Sequence, residues 1–353
     1  TKGILSDTAI KNIRASQQHV QDIVSSKKTV YGINTGFGIL ANTSISEEDT
    51  RTLQHKILQS HSVGVGDPIP VGVAKIMMIT KVHALAKGYS GVQVETLNRI
   101  CWHIDNNIIP VVPEKGSVGA SGDLAPLSHL FLPLIGLGEV YVTKENTAPV
   151  RMKSMDALKQ AGLEPIQLGP KEGLALINGT QFILSFAVKA VQRMHNCLEA
   201  ADIIGAMSLE ALTGTKAPFD DRLHQLRPYP GNRLVAQRLR LLLTNSAIMQ
   251  SHVDCGRVQD PYSLRCMPQV HGASRNAWLH LKRLTETELN SVTDNPIILG
   301  ADDTISGGNF HGQPLALPLD YACFAASELG NISDRRCYLL LEGKWGLPVL
   351  LMN

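Results

Sequence analysis

The sequence predicts a mostly α protein, a large bundle of long helices joined to a smaller mixed α/β N-terminal part. Three observations carry that expectation. The stretch 179–215 keeps apolar side chains on nearly every face, the pattern of a helix buried inside a bundle rather than lying on a surface. Further long helical patterns fill 233–252, 272–293 and 314–342. The glycine-rich turns and the one clear strand pattern fall before residue 150. Two domains are therefore expected, an N-terminal one over 1–170 and a helical bundle over 171–353.

Taken in order, a short polar helix pattern covers about 6–25 and gives way to a glycine-rich turn, YGINTGFGIL at 31–40. The helical pattern LQHKILQSHS follows and breaks at GVGDPIPVG, where glycine and proline remove helix propensity together. Helices are expected over 73–88 and 93–108. Next comes VVPEKGSVGASGDLAP, a loop of small residues containing Gly116, Gly119 and Gly122. GEVYVTK at 138–144 reads as a strand.

Composition narrows the function. The 353 residues carry 33 basic and 31 acidic side chains, a net charge of +2, so no general field draws nucleic acid. Charged residues are 18%, below the roughly 25% of a typical soluble domain. With 44% hydrophobic residues, this implies surface hidden in a subunit interface. Aromatics at 5% argue against a stacking platform for single strands. The six cysteines (101, 197, 255, 266, 323, 337) form no C-x-x-C pair and read as reduced thiols of a cytoplasmic protein. The glycosylation-like triplets at Asn42, Asn178 and Asn331 then read as chance. No stretch looks like a signal peptide or a membrane span.

Several motifs fail. The 12 histidines include no H-E-x-x-H and no paired metal ligands, so no metal is expected. Neither a phosphate loop nor a dinucleotide fingerprint is present. Gly119-Ala120-Ser121-Gly122-Asp123 resembles a nucleophile elbow, but Asp123 stands where the last glycine belongs. Two readings of this loop remain. In the plain one it is a tight turn before a helix, with Asp123 as N-cap and Pro126 in the first turn. In the chemical one the Gly122 amide nitrogen attacks the Ala120 carbonyl. Loss of one water closes an imidazolone, and loss of a second from Ser121 leaves an exocyclic methylene, an electrophile made without an external cofactor. Spacing alone favours the plain reading.

GSVGASGDLAPLSHL at 116–130 resembles the signature of the aromatic amino-acid ammonia-lyases, which build a methylidene-imidazolone (MIO) from Ala-Ser-Gly. YGINTGFG at 31–38, EGLALINGTQ at 172–181, VQDPYSLRCMPQV at 258–270, and TDNPIILG with SGGNFHG at 293–312 match in the same order. The resemblance spans essentially the whole chain. It implies that Ala120, Ser121 and Gly122 form the MIO, and that Tyr31 is the base for the β-proton. Asn178 and Tyr262 would hydrogen-bond the ring, as donors do in an oxyanion hole. Arg265 would clamp the substrate carboxylate with its planar fork, and Gln259 and Phe310 would line the site.

Ser60 and His61 are similar to the histidine-specific branch, as is VQDPYSLRC. L-histidine is thus the expected substrate and trans-urocanate and ammonia the products, opening histidine breakdown. Within the family the rivals are tyrosine or phenylalanine ammonia-lyases and aminomutases. Outside it stands an inactive fragment or scaffold subunit. A fumarase-type lyase would need a G-S-S-x-M-P loop that the sequence lacks. Family members are homotetramers with sites shared among subunits. They also continue past WGLPVLLMN and begin earlier, so the chain reads as truncated, chiefly at the C-terminus.

Overall fold

The computed structural model describes residues 2–26, 29–35, 47–143, 147–253 and 256–352. The chain divides into two compact units, Thr1–Phe186 with Thr285–Leu315, and Ala187–Leu284 with Ala316–Asn353. Neither is a continuous stretch of sequence. Long helices dominate, strands are few and short, and the expected fold class holds.

In the first unit, α1 (Asp7–Ser25) starts where the Ser6 hydroxyl accepts the Ala9 amide. It buries Ile13, Ser16, Val20 and Ile23, one stripe at helical spacing. Next come α2 (Glu47–His61), β1 (Val65–Pro68), α3 (Val71–Leu85), α4 (Val94–Asp105), β2 (Ile108–Pro110), β3 (Pro113–Lys115) and α5 (Leu124–Phe131). β4 (Glu139–Val142), the strand expected at 138–144, lies between β2 and β5 (Val150–Lys153) in a small antiparallel sheet. α6 (Ser154–Gln160) and α7 (Glu172–Ile177) follow. The core gathers Leu58 from α2, Met77 and Met78 from α3, Leu127 and Phe131 from α5, and Leu176 and Ile177 from α7. Each such side chain contributes about 1.5–3 kcal/mol on burial.

α8 (Gln181–Ala211) begins in the first unit and continues in the second, which also holds α9 (Asp221–Leu226), α10 (Pro230–Leu242), α11 (Ala247–Ser251) and α12 (Tyr262–Arg265). The pattern over 233–252 is two helices rather than one. Asn245 takes a positive φ of 57°, and the Ser246 hydroxyl then caps α11 by accepting the Met249 amide at 3.1 Å. The apolar run hides this break, and the short T-N-S is its signal. α13 (Met267–Leu289) ends in the first unit, where β6 (Ile297–Ile298) and β7 (Thr304–Ile305) pair. α14 (Gln313–Leu341) runs on into the second.

Among the described residues, 172–211 is the one stretch long and apolar enough to cross a membrane, and 61% of its most apolar window is buried in the protein. Cys101, Cys197, Cys266, Cys323 and Cys337 are free thiols. Cys255 lies outside the described residues.

Candidate active site

The ladder between β1 and β3 sets up the site. Val65 pairs with Lys115, so the chain before β1 and the chain after β3 leave the ladder at the same end. One carries His61, the other the Ala120-Ser121-Gly122 loop. The two leads touch: a Cβ on Gly116 would lie 3.1 Å from the Gly64 Cα, and the Gly64 amide donates to Nε2 of His129 in α5 at 3.0 Å.

The loop is tight. Gly119 and Gly122 take positive φ values of 77° and 76°, and the Gly122 amide donates back to the Gly119 carbonyl at 3.3 Å. That carbonyl also accepts the Gly312 amide at 2.9 Å. Ala120 and Ser121 stand exposed at the tip while Gly122 is buried. A Cβ on Gly122 would meet the Gly179 carbonyl oxygen at 2.6 Å and that of Phe310 at 3.1 Å, so only glycine fits between these backbones. The Asp123 amide donates to the same Gly179 oxygen at 2.8 Å.

Asp123 does stand at the N-cap position of α5, but its side chain makes no capping bond there. It caps α8 instead. Oδ2 accepts the Phe182 and Ile183 amides at 2.9 and 3.1 Å, and Oδ1 accepts the Ser117 hydroxyl at 2.6 Å. Burial pushes this carboxyl up to about 6 against the pull of those hydrogen bonds. A distant helix start outcompetes the adjacent one, a choice local sequence does not record.

Asn178 ends α7. Its Nδ2 donates to the Asn295 carbonyl at 3.2 Å, while its buried Oδ1 has no hydrogen-bond partner among the described residues. The Asn178 carbonyl accepts Nζ of Lys81 at 2.5 Å. Asn295 in turn accepts the Gly307 amide on Oδ1 at 2.7 Å, which ties the 306–312 loop to the same place. Motif matching did not single out Lys81. The signal was present: one lysine inside the apolar run IMMITKVHAL.

Tyr31 opens a turn in which Val30 O accepts the Ile33 and Asn34 amides and Thr35 Oγ1 accepts the Gly32 amide at 3.1 Å. Gly32 has φ 72°, and a Cβ there would lie 2.4 Å from a methyl of Leu174 in α7. The turn is thus seated on the helix that ends at Asn178. Tyr31 itself is half-buried against the core. The rest of the motif, including Phe37, lies outside the described residues. His61 closes α2 with Nδ1 3.0 Å from the Ile57 carbonyl and 3.0 Å from Ser60 Oγ. The Ile57 carbonyl only accepts, so that contact is a hydrogen bond in the tautomer with the proton on Nδ1, which leaves Nε2 as acceptor.

Gln259, Tyr262 and Arg265 form their own set on the second unit. Asp260 is the anchor: buried, it accepts Arg257 Nη1 at 3.1 Å and the Thr215 amide at 2.6 Å, leaving Gln259 and Tyr262 exposed on either side. Arg265 donates from Nε to the Asp260 carbonyl at 3.0 Å and lies over the Tyr262 ring at 4.5 Å. Behind α12, Arg336 reaches the Ser263 carbonyl at 3.4 Å and Nε2 of His271 at 3.5 Å. His271 Nδ1 bonds Asp202 at 2.9 Å, and Arg275 and Arg238 bond the same carboxylate at 2.7 and 2.8 Å. Burial opposes the charge on Asp202, yet the His271 bond and Arg275 together hold its carboxyl below the usual range. Among the described residues, no three His, Cys, Asp or Glu side chains gather to hold a metal ion.

The chain that builds this helical fold and its glycine-wedged Ala-Ser-Gly turn matches the aromatic amino acid lyase family over its whole length, residues 1–353, and belongs to that family. Within that family, the histidine ammonia-lyase of Myxococcus xanthus is 46% identical over 339 residues, covering 96% of this chain and 66% of the relative. The crystal structure of histidine ammonia-lyase from Trypanosoma cruzi is 40% identical with a TM-score of 0.87, over 98% of this chain and 64% of that one. Tyrosine aminomutase from Streptomyces globisporus is 32% identical with a TM-score of 0.90, over 98% and 68%. The chain thus spans about two thirds of the length of these relatives.

Proposed function

We propose that the protein is a histidine ammonia-lyase, a carbon–nitrogen lyase that deaminates L-histidine without oxidation to trans-urocanate and ammonia. The observation that carries this reading is the loop. Gly122 is wedged where no side chain fits, with its amide turned back toward Gly119, so the segment suits ring closure between the Gly122 nitrogen and the Ala120 carbonyl. Asn178 adds to the fit: it stands next to Gly179, whose carbonyl packs on Gly122, and its Nδ2 keeps a second hydrogen beyond the one given to the Asn295 carbonyl. Once formed, the MIO supplies an electrophilic methylene where Ser121 carried its hydroxyl, and no external cofactor or metal is needed.

The other roles belong to the chain's own side chains. Tyr31, on its rigid turn, takes the β-proton. The amide of Asn178 and the phenol of Tyr262 donate hydrogen bonds to developing negative charge. Arg265 holds the substrate carboxylate and Gln259 and Phe310 line the pocket. His61 presents Nε2 to the substrate's imidazole N–H, which a phenyl ring could not satisfy. The working form is a cytoplasmic homotetramer with sites completed by neighbouring subunits, binding neither nucleic acid nor membrane. The likeness to tyrosine aminomutase supports the second reading, a tyrosine-directed lyase or aminomutase.

The deciding measurements are intact mass and product formation. A chain two waters lighter than its encoded mass, with the loss mapped to 120–122, is expected, together with urocanate release from histidine. An unmodified chain, or faster turnover of tyrosine or phenylalanine, would overturn the assignment.

A further inference from the structure

Lys81 is buried in α3 between Met77, Met78, Ala84 and Leu85. An ammonium there is expensive to desolvate unless something repays it. The charged groups around it are Asp294, Lys171 and Asp123. Asp294 is taken by Lys171 at 2.5 Å, and Asp123 by Ser117 and the start of α8. The hydrogen bond Lys81 makes goes instead to a backbone carbonyl, that of Asn178, at 2.5 Å.

The peptide it grips is the one that closes the loop. Gly179, the next residue, presents the carbonyl that accepts the Asp123 amide at 2.8 Å and leaves no room for a Cβ on Gly122. Nζ also lies 3.1 Å from where a Cβ on Gly179 would sit, so lysine and loop press on this segment from two directions. We infer that Lys81 is a positioning residue for formation of the electrophile: by holding the Asn178 carbonyl it fixes the 178–179 segment against Gly122 and Asp123 and keeps the turn closed for cyclisation.

In that cyclisation the Gly122 nitrogen bonds to the Ala120 carbonyl carbon. The Ala120 oxygen leaves as water with the amide hydrogens of Gly122 and Ser121. Ser121 then loses its hydroxyl with its α-hydrogen as a second water. Lys81 is not consumed. Burial pulls its pKa down to about 7, so near neutrality it can grip the carbonyl as ammonium or amine, since both donate.

This inference rests on the electrophile reading, and the experiment separates the two. Wild type, Lys81→Met and Lys81→Arg are purified as the full-length protein. Intact mass is followed from folding onward, and melting temperature is measured alongside. The expected result is a two-water deficit in wild type, most of it retained in Lys81→Arg, and a cyclised fraction or rate reduced about tenfold or more in a folded Lys81→Met, the scale of one lost charged hydrogen bond. Should Lys81→Met fail to fold, Lys81→Gln, too short to reach the carbonyl, is read by the same standard. A folded variant that cyclises at the wild-type rate overturns the role of Lys81 and leaves the electrophile standing. A wild-type chain without the deficit removes both.

Discussion

At the scale of single residues, three substitutions follow from geometry. Gly122→Ala forces a Cβ into two carbonyls and a side chain into a positive φ, the latter alone costing about 1–2 kcal/mol. The variant should melt lower and show the full encoded mass, with no water lost. His61→Leu should lower kcat/KM for histidine by about 10- to 100-fold, since a buried polar group on the substrate would lose its partner. Steady-state rates with histidine and phenylalanine would show it. Lys81 also leaves a trace in the pH dependence of stability. Its folded pKa of about 7 lies below the ordinary 10.5, so between those values the unfolded chain binds a proton that the folded chain has released. Stability should therefore rise with pH across that window, by up to about 1.4 kcal/mol per pH unit from this group. Asp123 acts in the opposite sense at lower pH. Its folded value of about 6 lies above 3.8, so its contribution is lost as pH rises through that interval. Urea denaturation at a series of pH values should show the upper arm flattened in Lys81→Met.

At the scale of elements, Glu172 is the fastening. Its buried carboxylate accepts the Gln93 amide and side chain at 2.7 and 2.6 Å, the Thr96 hydroxyl at 2.7 Å and the Gly169 amide at 2.7 Å. It thereby holds the start of α4 to the start of α7, the short helix that delivers Asn178. Glu172→Ala strands several buried donors and should cost about 3–5 kcal/mol, measurable by chemical denaturation. Asp123 does the same between the loop and α8. Both carboxylates serve helix N-termini, where exposed amides and the helix dipole favour negative charge.

At the scale of the whole molecule, the second unit exposes large apolar side chains on two of its long helices. On α14, Leu317, Tyr321 and Phe324 are exposed at helical spacing, and α8 exposes Ile203, Ile204 and Met207. The 18% charged fraction has the same origin under the tetramer reading. Phe324→Asp should break the assembly, seen by sedimentation as smaller species. Under the same reading, in which neighbouring subunits complete the sites, activity should fall with it.

The sequence alone determined the fold class, because helices with apolar residues on every face have to bury one another. It also pointed to candidate site residues, because the order of their motifs resembles that of a known family. What it could not contain is which distant groups share a hydrogen bond. Asp123 belongs to α8 rather than α5, Lys81 belongs to Asn178, and Asn245 turns over between α10 and α11. Those outcomes depend on which donors are left unpaired once the chain has packed. Buried polar groups must then take whatever partner the tertiary structure brings within reach.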